Sequence, residues 1–178
     1  GISSSYAPLG AVMASKRVAG VFEVEGGFNH GLTFGGLPVS CAAAGANLDI
    51  MLEEDLPGRA KQTGAYLRNQ LEERLGDHPN VGDIRGAGLF LGVELVSDKA
   101  TKTSPEYGAK LLNWLTDEMR LQGLIIRNDS RGDPVTQICP PLVFTEAECD
   151  RVVDVLEHSF NLLGRELGSI PTMHAAAD

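Results

Sequence analysis

The sequence has few basic residues and no long apolar run. Its 178 residues include 15 Lys and Arg against 24 Asp and Glu, which gives a formal net charge of −9 at pH 7. Nucleic acids and anionic membrane surfaces bind basic patches, so this balance argues against both as partners. No apolar stretch approaches the roughly 20 residues that span a bilayer. The first residues also lack the basic and then apolar pattern of a secretion signal.

Cysteine and histidine are scarce as well. Cys41, Cys139 and Cys149 form an odd count without the spacing of metal ligands. This pattern predicts buried thiols in a reducing cytoplasm. The four histidines are scattered, and no two have the i, i+4 spacing of a helical zinc site. We therefore expect a cytoplasmic protein without a metal centre.

The remaining composition is that of an ordinary globular protein, with 43% hydrophobic and 22% charged residues. A chain of this length can form one large domain or parts of two. It opens with Gly1-Ile2-Ser3 rather than Met, inside what looks like a structured segment. We therefore expect it to be part of a longer polypeptide.

The most distinctive stretch covers residues 29–44, Asn-His-Gly-Leu-Thr-Phe-Gly-Gly-Leu-Pro-Val-Ser-Cys-Ala-Ala-Ala. Its glycines allow the backbone to approach another group closely, and Pro38 suits the first turn of a helix. The hydroxyl of Thr33, with free amides at a helix start, can seat a phosphate group. The alternative is a tight turn into a buried, alanine-rich helix that binds nothing.

Helices are predicted from their caps and apolar spacing. After a short helix or turn within 16–28, we expect helices over 39–52 and 58–75. A third helix begins at the cap Ser104 and is closed by Gly123. The last begins with a capping box of Thr145 and Glu148 and carries an apolar stripe at helical spacing: Cys149, Val152, Val153, Leu156, Phe160 and Leu163.

Strands are predicted between these helices. The apolar run 10–14 does not alternate, which predicts a strand buried on both faces. Residues 81–96 predict two strands with a bend at 85–88, where Arg85 makes a supporting ion pair. A strand over 124–126 ends at Arg127, and residues 137–139 return beside it. We place a domain boundary in the loop 76–80 and expect a frayed tail from about residue 168.

Two segments resemble the class III aminotransferases, which depend on pyridoxal phosphate (PLP). Residues 29–44 are similar to the family pattern H-x-x-T-[FY]-x-G-x-P-[VL]-x-[CA]-A-A, although Leu37 replaces the usual His or Asn. The resemblance implies that Thr33, with Phe34 beside it, binds the cofactor phosphate held by the neighbouring subunit of a homodimer or higher homo-oligomer. Residues 1–12 are similar to G-[IL]-[ST]-[SA]-x-[YF]-x-P-[LM]-G-A-V, which follows the catalytic lysine of that family. The Schiff-base lysine is therefore expected immediately before Gly1, and no catalytic residue within the chain.

The second half resembles the same family. Its segments are similar to V-x-[DE]-[IV]-R-G-x-G-L-[FM]-L-G-[VI]-E-L and to G-[LI]-[IV]-x-R…C-P-P-[LF]-x-[IF]-T-E-A-E. In the ω-amino-acid:pyruvate subgroup the arginine of the second pattern binds the substrate carboxylate, a role that falls on Arg127 here. The loop that follows it is longer than usual in that subgroup, so Arg131 is an alternative.

The resemblance implies an α/β protein of PLP-dependent fold type I. Residues 1–76 correspond to the C-terminal part of the large PLP-binding domain and 77–178 to the small C-terminal α+β domain. The implied activity moves an amino group from an amine or (ω-)amino acid to a keto acid such as pyruvate. Alternatives are another class III activity, namely an acetylornithine, GABA or taurine transaminase, or a non-catalytic interaction module.

Overall fold

A computed structural model of the chain describes residues 2–24, 26–129 and 134–166. Its contacts divide the chain into two compact units, Gly1–Asp55 and Leu56–Asp178. This division lies upstream of the boundary expected at 76–80, because the helix preceding that loop packs on the sheet that follows it. The predicted tail and the alternative carboxylate ligand Arg131 lie outside the described residues. None of the described helices has the length and apolar character of a membrane span.

The first unit contains two helices, α1 (Lys16–Val24) and α2 (Pro38–Glu53). Both were predicted, and both are confirmed. The predicted strand over 10–14 is wrong: the segment is irregular, and Val12 and Met13 are 97% and 96% exposed. A strand buried on both faces needs neighbouring strands to pair its backbone groups, and the described part of this unit contains none.

The second unit is a four-stranded antiparallel sheet packed with three helices. The strands are β1 (Val81–Ala87), β2 (Phe90–Leu95), β3 (Arg127–Asp129) and β4 (Val135–Ile138), in the order β1-β2-β4-β3. The helices are α3 (Leu56–Leu75), α4 (Gly108–Leu121) and α5 (Glu146–Glu166). The mixed α/β class predicted from the sequence is confirmed.

The core of the second unit lies between the sheet and its helices. The predicted apolar stripe of α5 is confirmed, because all six of its residues are buried. They pack with one face of α3 and one face of α4, whose innermost residues are Leu67, Leu71, Leu75, Leu112, Leu115 and Met119. Trp114 is partly buried and packs against this core.

The capping box of α5 is confirmed in both directions. The Thr145 N–H donates to the Glu148 carboxylate at 2.8 Å, and the Glu148 N–H donates to Thr145 Oγ at 3.3 Å. The Thr145 hydroxyl also donates to the Glu148 carboxylate at 2.7 Å, and this bond, followed by that from the Thr145 N–H, lowers the pKa of Glu148.

The ends of α4 explain two wrong predictions. Ser104 does not cap the helix, because the Gly108 N–H donates to the Pro105 carbonyl at 3.0 Å in a turn that precedes the first helical residue. At the other end Gly123 has a φ of 84° and closes the helix as predicted. The next residue, Leu124, donates its N–H back to Met119 at 2.9 Å. The strand predicted over 124–126 therefore begins later, and Arg127 is the first residue of β3 rather than the end of a strand.

The β1–β2 hairpin has the predicted ion pair. Arg85 pairs with Glu94 across the hairpin and with Asp83 at 3.3 Å. The hydrogen bond that Arg85 donates to the Glu94 carboxylate is the main cause that raises the pKa of Arg85. The chain reverses after Ala87, at the end of the predicted bend.

Only one of the three thiols is buried. Burial raises the pKa of Cys149 to about 11. The prediction of buried thiols is wrong for Cys41 and Cys139, which are exposed. Cys41 lies on the outward side of α2, and Cys139 follows the last residue of β4, where neither packs into the core.

His78, in the loop between α3 and β1, is expected to make stability depend on pH. Its Nδ1 accepts a hydrogen bond from the Asn80 N–H at 3.2 Å, and its ring meets Phe160 edge-on at 5.8 Å between centroids. Burial and then the charge of Lys99 lower the pKa of His78 below its ordinary value of 6.5, opposed by a hydrogen bond to the Phe160 backbone. As the pH falls, the unfolded chain takes up this proton before the folded chain does. The contribution of His78 to the free energy of unfolding is therefore complete above pH 6.5 and is lost as the pH falls toward the folded-state pKa.

Thermal unfolding measured at about pH 5 to 8 checks this expectation. The melting temperature should rise with pH across this window, and His78→Gln should flatten the rise. His158→Gln is the matched control, because the His158 side chain is exposed. Parallel curves for His78→Gln and the wild type would contradict the assignment.

Candidate functional site

The glycine-rich turn leads directly into α2. The Gly35 N–H donates to the Leu32 carbonyl at 2.8 Å. Gly36 has a φ of 69°, a left-handed conformation that favours glycine. Pro38 occupies the first turn of the helix, where its missing N–H costs no hydrogen bond. The predicted turn and the predicted helix start are both confirmed.

Thr33 and Phe34 lie side by side on this turn, and both are exposed. Among the described residues none forms a hydrogen bond with the Thr33 hydroxyl. Leu37, at the N-cap, offers no side-chain acceptor to the first amides of α2. A hydroxyl and backbone N–H groups at the positive end of a helix are the donors that a phosphate requires. The residues present therefore fit a phosphate group at this turn.

Ser40, one turn into α2, has a buried hydroxyl without a partner. Its exposed fraction is 0%, and its Oγ has no hydrogen-bond partner in the described part of the chain. Leaving such a hydroxyl unpaired costs on the order of 1–3 kcal/mol. Within this unit the Ser40 hydroxyl therefore contributes no stabilising contact.

Asn47, two turns further along α2, makes a contact that its sequence context does not reveal. Its side-chain amide bonds to the backbone of Ile2 at 2.9 Å and to the Ser4 hydroxyl at 2.7 Å. These partners lie more than 40 positions away in the sequence. No short-range pattern predicts the pairing.

In the second unit Arg127 lies on the rim of a groove of about 500 Å³. The groove wall is mostly apolar and includes Ile125, Ile126, Ile138, Pro141, Phe144 and Val152. The Arg127 side chain is exposed, and no carboxylate within the described ranges pairs with it. A planar guanidinium beside an apolar wall can bind a carboxylate that carries an apolar chain.

The neighbour of Arg127 anchors β3 to α4. The Asn128 side-chain amide donates to Asn113 Oδ1 at 3.2 Å and to Thr116 Oγ1 at 3.1 Å. Arg127 itself pairs with Gln137 in the register of β3 and β4. These contacts hold the backbone from which the guanidinium projects. Asn128 is a second supporting residue that the sequence pattern did not identify, because its partners lie on a helix 12 and 15 residues away.

The predicted site residues lie in different units: Thr33 and Phe34 in the first, Arg127 in the second. Within the described residues no group of three or more His, Cys, Asp or Glu side chains is placed to hold a metal ion.

Comparison with known proteins shows a likeness to aminotransferases. The family described as Aminotransferase class-III matches residues 1–160. A probable aminotransferase of Mycobacterium tuberculosis is 44% identical over 169 residues, which are 93% of this chain and 36% of that protein. The chain thus spans just over a third of the length of this relative.

Solved structures show the same likeness. An (S)-enantioselective omega-transaminase from Thermomicrobium roseum is 40% identical with a TM-score of 0.81, over 90% of this chain and 35% of that one. An amine transaminase from an uncultivated Pseudomonas species, in its PLP-bound form, is 38% identical with a TM-score of 0.82, over 90% and 36%.

Proposed function

The chain belongs to the class III aminotransferase family, and on that basis we propose that it contributes to PLP-dependent transamination. Its mixed α/β structure is that of fold type I transaminases, as predicted. The amino donor is an amine or (ω-)amino acid, and the acceptor is a keto acid such as pyruvate. The chain spans just over a third of its relative's length, and in this proposal the Schiff-base lysine lies immediately before Gly1.

The observation that carries the proposal is the Thr33 turn at the start of α2. Its hydroxyl is exposed and unpaired among the described residues, and the space beside the nearby Gly31 and Gly36 is open, with no atom within 4 Å of where a Cβ would lie. We assign Thr33 to the cofactor phosphate of a neighbouring subunit in a homodimer or higher homo-oligomer, with Phe34 against the cofactor. Bound PLP supplies an electron sink for breaking the bond to the α-hydrogen of the amino substrate.

Arg127 is proposed to bind the carboxylate of the acceptor. In this role the guanidinium donates two parallel hydrogen bonds to the two carboxylate oxygens, and the apolar groove wall beside it contacts the remainder of a small keto acid. The likeness to the omega-transaminase of Thermomicrobium roseum supports an ω-amino donor. Another class III activity, on acetylornithine, GABA or taurine, would use the same residues, and a panel of donors with pyruvate and 2-oxoglutarate as acceptors separates them.

The domain assignment belongs to the same proposal. Residues 1–76 would complete the large PLP-binding domain, and residues 77–178 would form the small C-terminal domain. The exposed apolar residues of the first unit, Val12, Met13, Leu32, Phe34, Val39 and Leu52, support its packing against other parts of such an enzyme. They equally favour the alternative function, a non-catalytic interaction module.

Replacement of Thr33 tests the cofactor site. In the intact polypeptide, Thr33→Ala should weaken PLP binding about tenfold, because one hydrogen bond to a charged phosphate is lost. Thr33→Ser keeps the hydroxyl and should stay close to wild type. Cofactor dissociation followed by absorbance measures both variants. If Thr33→Ala bound PLP as tightly as the wild type, the assignment of Thr33 to the cofactor phosphate would be wrong.

Measurement of the intact mass of the polypeptide distinguishes the enzyme from the non-catalytic interaction module. After borohydride reduction, a transaminase polypeptide should gain the mass of one pyridoxyl phosphate under denaturing conditions. A preparation that gains no such mass, and transfers no amino group to any keto acid, would favour the interaction module.

A further inference from the structure

The segment of residues 2–7 adopts a strained turn. Ser4 and Ser5 have φ values of 47° and 65°, in the left-handed region that side chains other than glycine rarely occupy. Such residues persist only where the surrounding structure holds them. Within the turn the Tyr6 N–H donates to the Ser3 carbonyl at 2.9 Å, and the Ser3 hydroxyl donates to the Ala7 carbonyl at 2.5 Å.

A single side chain of α2 holds this turn from outside. The Asn47 amide nitrogen donates to the Ile2 carbonyl at 2.9 Å, and the Asn47 amide oxygen accepts from the Ser4 hydroxyl at 2.7 Å. Both ends of the amide are therefore used, one on the backbone before the strained pair and one on its first member. Only a side chain with a donor and an acceptor can make both bonds.

Asn47 projects from a rigid support. It lies inside the 16-residue helix α2, on which Ser40 and Ala44 are buried and Asn47 itself is half-buried. The amide nitrogen additionally approaches the Met51 sulfur at 3.5 Å, one turn further along the helix. The helix therefore fixes the position of the Asn47 side-chain amide, and this amide in turn holds the conformation of the turn at residues 2–7.

We propose that Asn47 is a positioning residue for the cofactor-bearing lysine. This inference rests on the proposed function, in which that lysine lies two residues upstream of Ile2. By fixing the Ile2 carbonyl and the strained turn after it, Asn47 restrains the part of the chain that directly follows the lysine. In this role Asn47 acts through residues 2–7.

Hydrogen exchange of the wild-type protein and of Asn47→Ala tests the structural half of the proposal. Loss of two hydrogen bonds should speed exchange at the Tyr6 amide about tenfold or more. Ser40→Ala is the matched control, because it removes from the same helix a buried hydroxyl that has no hydrogen-bond partner among the described residues. It should leave the exchange of the Tyr6 amide unchanged. Unchanged exchange in Asn47→Ala would overturn the proposal.

The pH midpoint of the cofactor absorbance tests the functional half in the intact, cofactor-loaded polypeptide. Asn47→Ala and Asn47→Asp should shift this midpoint, since both lose the donor to Ile2, and Ser4→Ala should shift it less. Ser40→Ala should leave it in place. If Asn47→Ala speeds exchange of the Tyr6 amide but leaves the pH midpoint of the cofactor absorbance unchanged, the positioning role of Asn47 is wrong. A wild-type polypeptide that binds no cofactor would instead overturn the proposed function, with the exchange result still reporting on the Asn47 contact.

Discussion

Replacing Gly64 with alanine is expected to destabilise the second unit by about 3 kcal/mol or more. Gly64 is buried where α3 crosses the end of the β1–β2 hairpin. A Cβ atom at this position would lie 2.2 Å from both the carbonyl carbon and the carbonyl oxygen of Gly88. The obstacle is backbone rather than a flexible side chain, so the helix and the hairpin must separate. That separation opens the core around Leu67 and Leu71, which are fully buried.

The measurement is denaturant or thermal unfolding of Gly64→Ala beside Gly45→Ala. Gly45 is also helical, and a Cβ there meets nothing within 4 Å. Its replacement should be neutral or stabilising by up to about 1 kcal/mol, because alanine favours the helix. The two variants share one chemical change, made in the first unit at Gly45 and in the second unit at Gly64, and they differ in the space around it. Wild-type stability in Gly64→Ala would show that α3 does not approach the hairpin this closely.

Replacing Arg127 with methionine is expected to lower kcat/KM for keto acid acceptors by about 10²- to 10³-fold in the intact enzyme. Methionine keeps much of the side-chain length and removes the charged fork. Arg127→Lys restores the charge without the two parallel donors, so its loss should be smaller. Both variants should fold normally, because Arg127 is exposed and Asn128 still anchors β3 through Thr116.

The specificity of the effect is the decisive result. A carbonyl acceptor without a carboxylate should react equally well with Arg127→Met and with wild type, since it never uses the guanidinium. Arg120→Met is the control for loss of a surface arginine, because its pair with Asp117 is well exposed. An equal loss on both kinds of acceptor would mean that Arg127 supports the structure rather than binding a carboxylate.

Most of the helices could be predicted from the sequence, because their signals are local. The capping box of Thr145 and Glu148 and the apolar stripe behind it lie within one continuous segment. The Thr33 turn was likewise predicted from its glycines and Pro38. The prediction of a strand over 10–14 was wrong, because burial on both faces depends on neighbouring strands that the apolar run itself does not specify.

The sequence alone determined the family, the α/β class, the capping box of α5 and the placement of Thr33 at the start of α2, since each depends on residues a few positions apart. Only the tertiary structure decided which distant residues meet. It brought Gly64 against Gly88, Asn47 onto Ile2, and Asn128 beside Thr116. It also moved the start of β3 to Arg127, because the Leu124 amide bonds back to the end of α4. Contacts of this kind depend on how whole elements pack, and packing has no signature in any single segment.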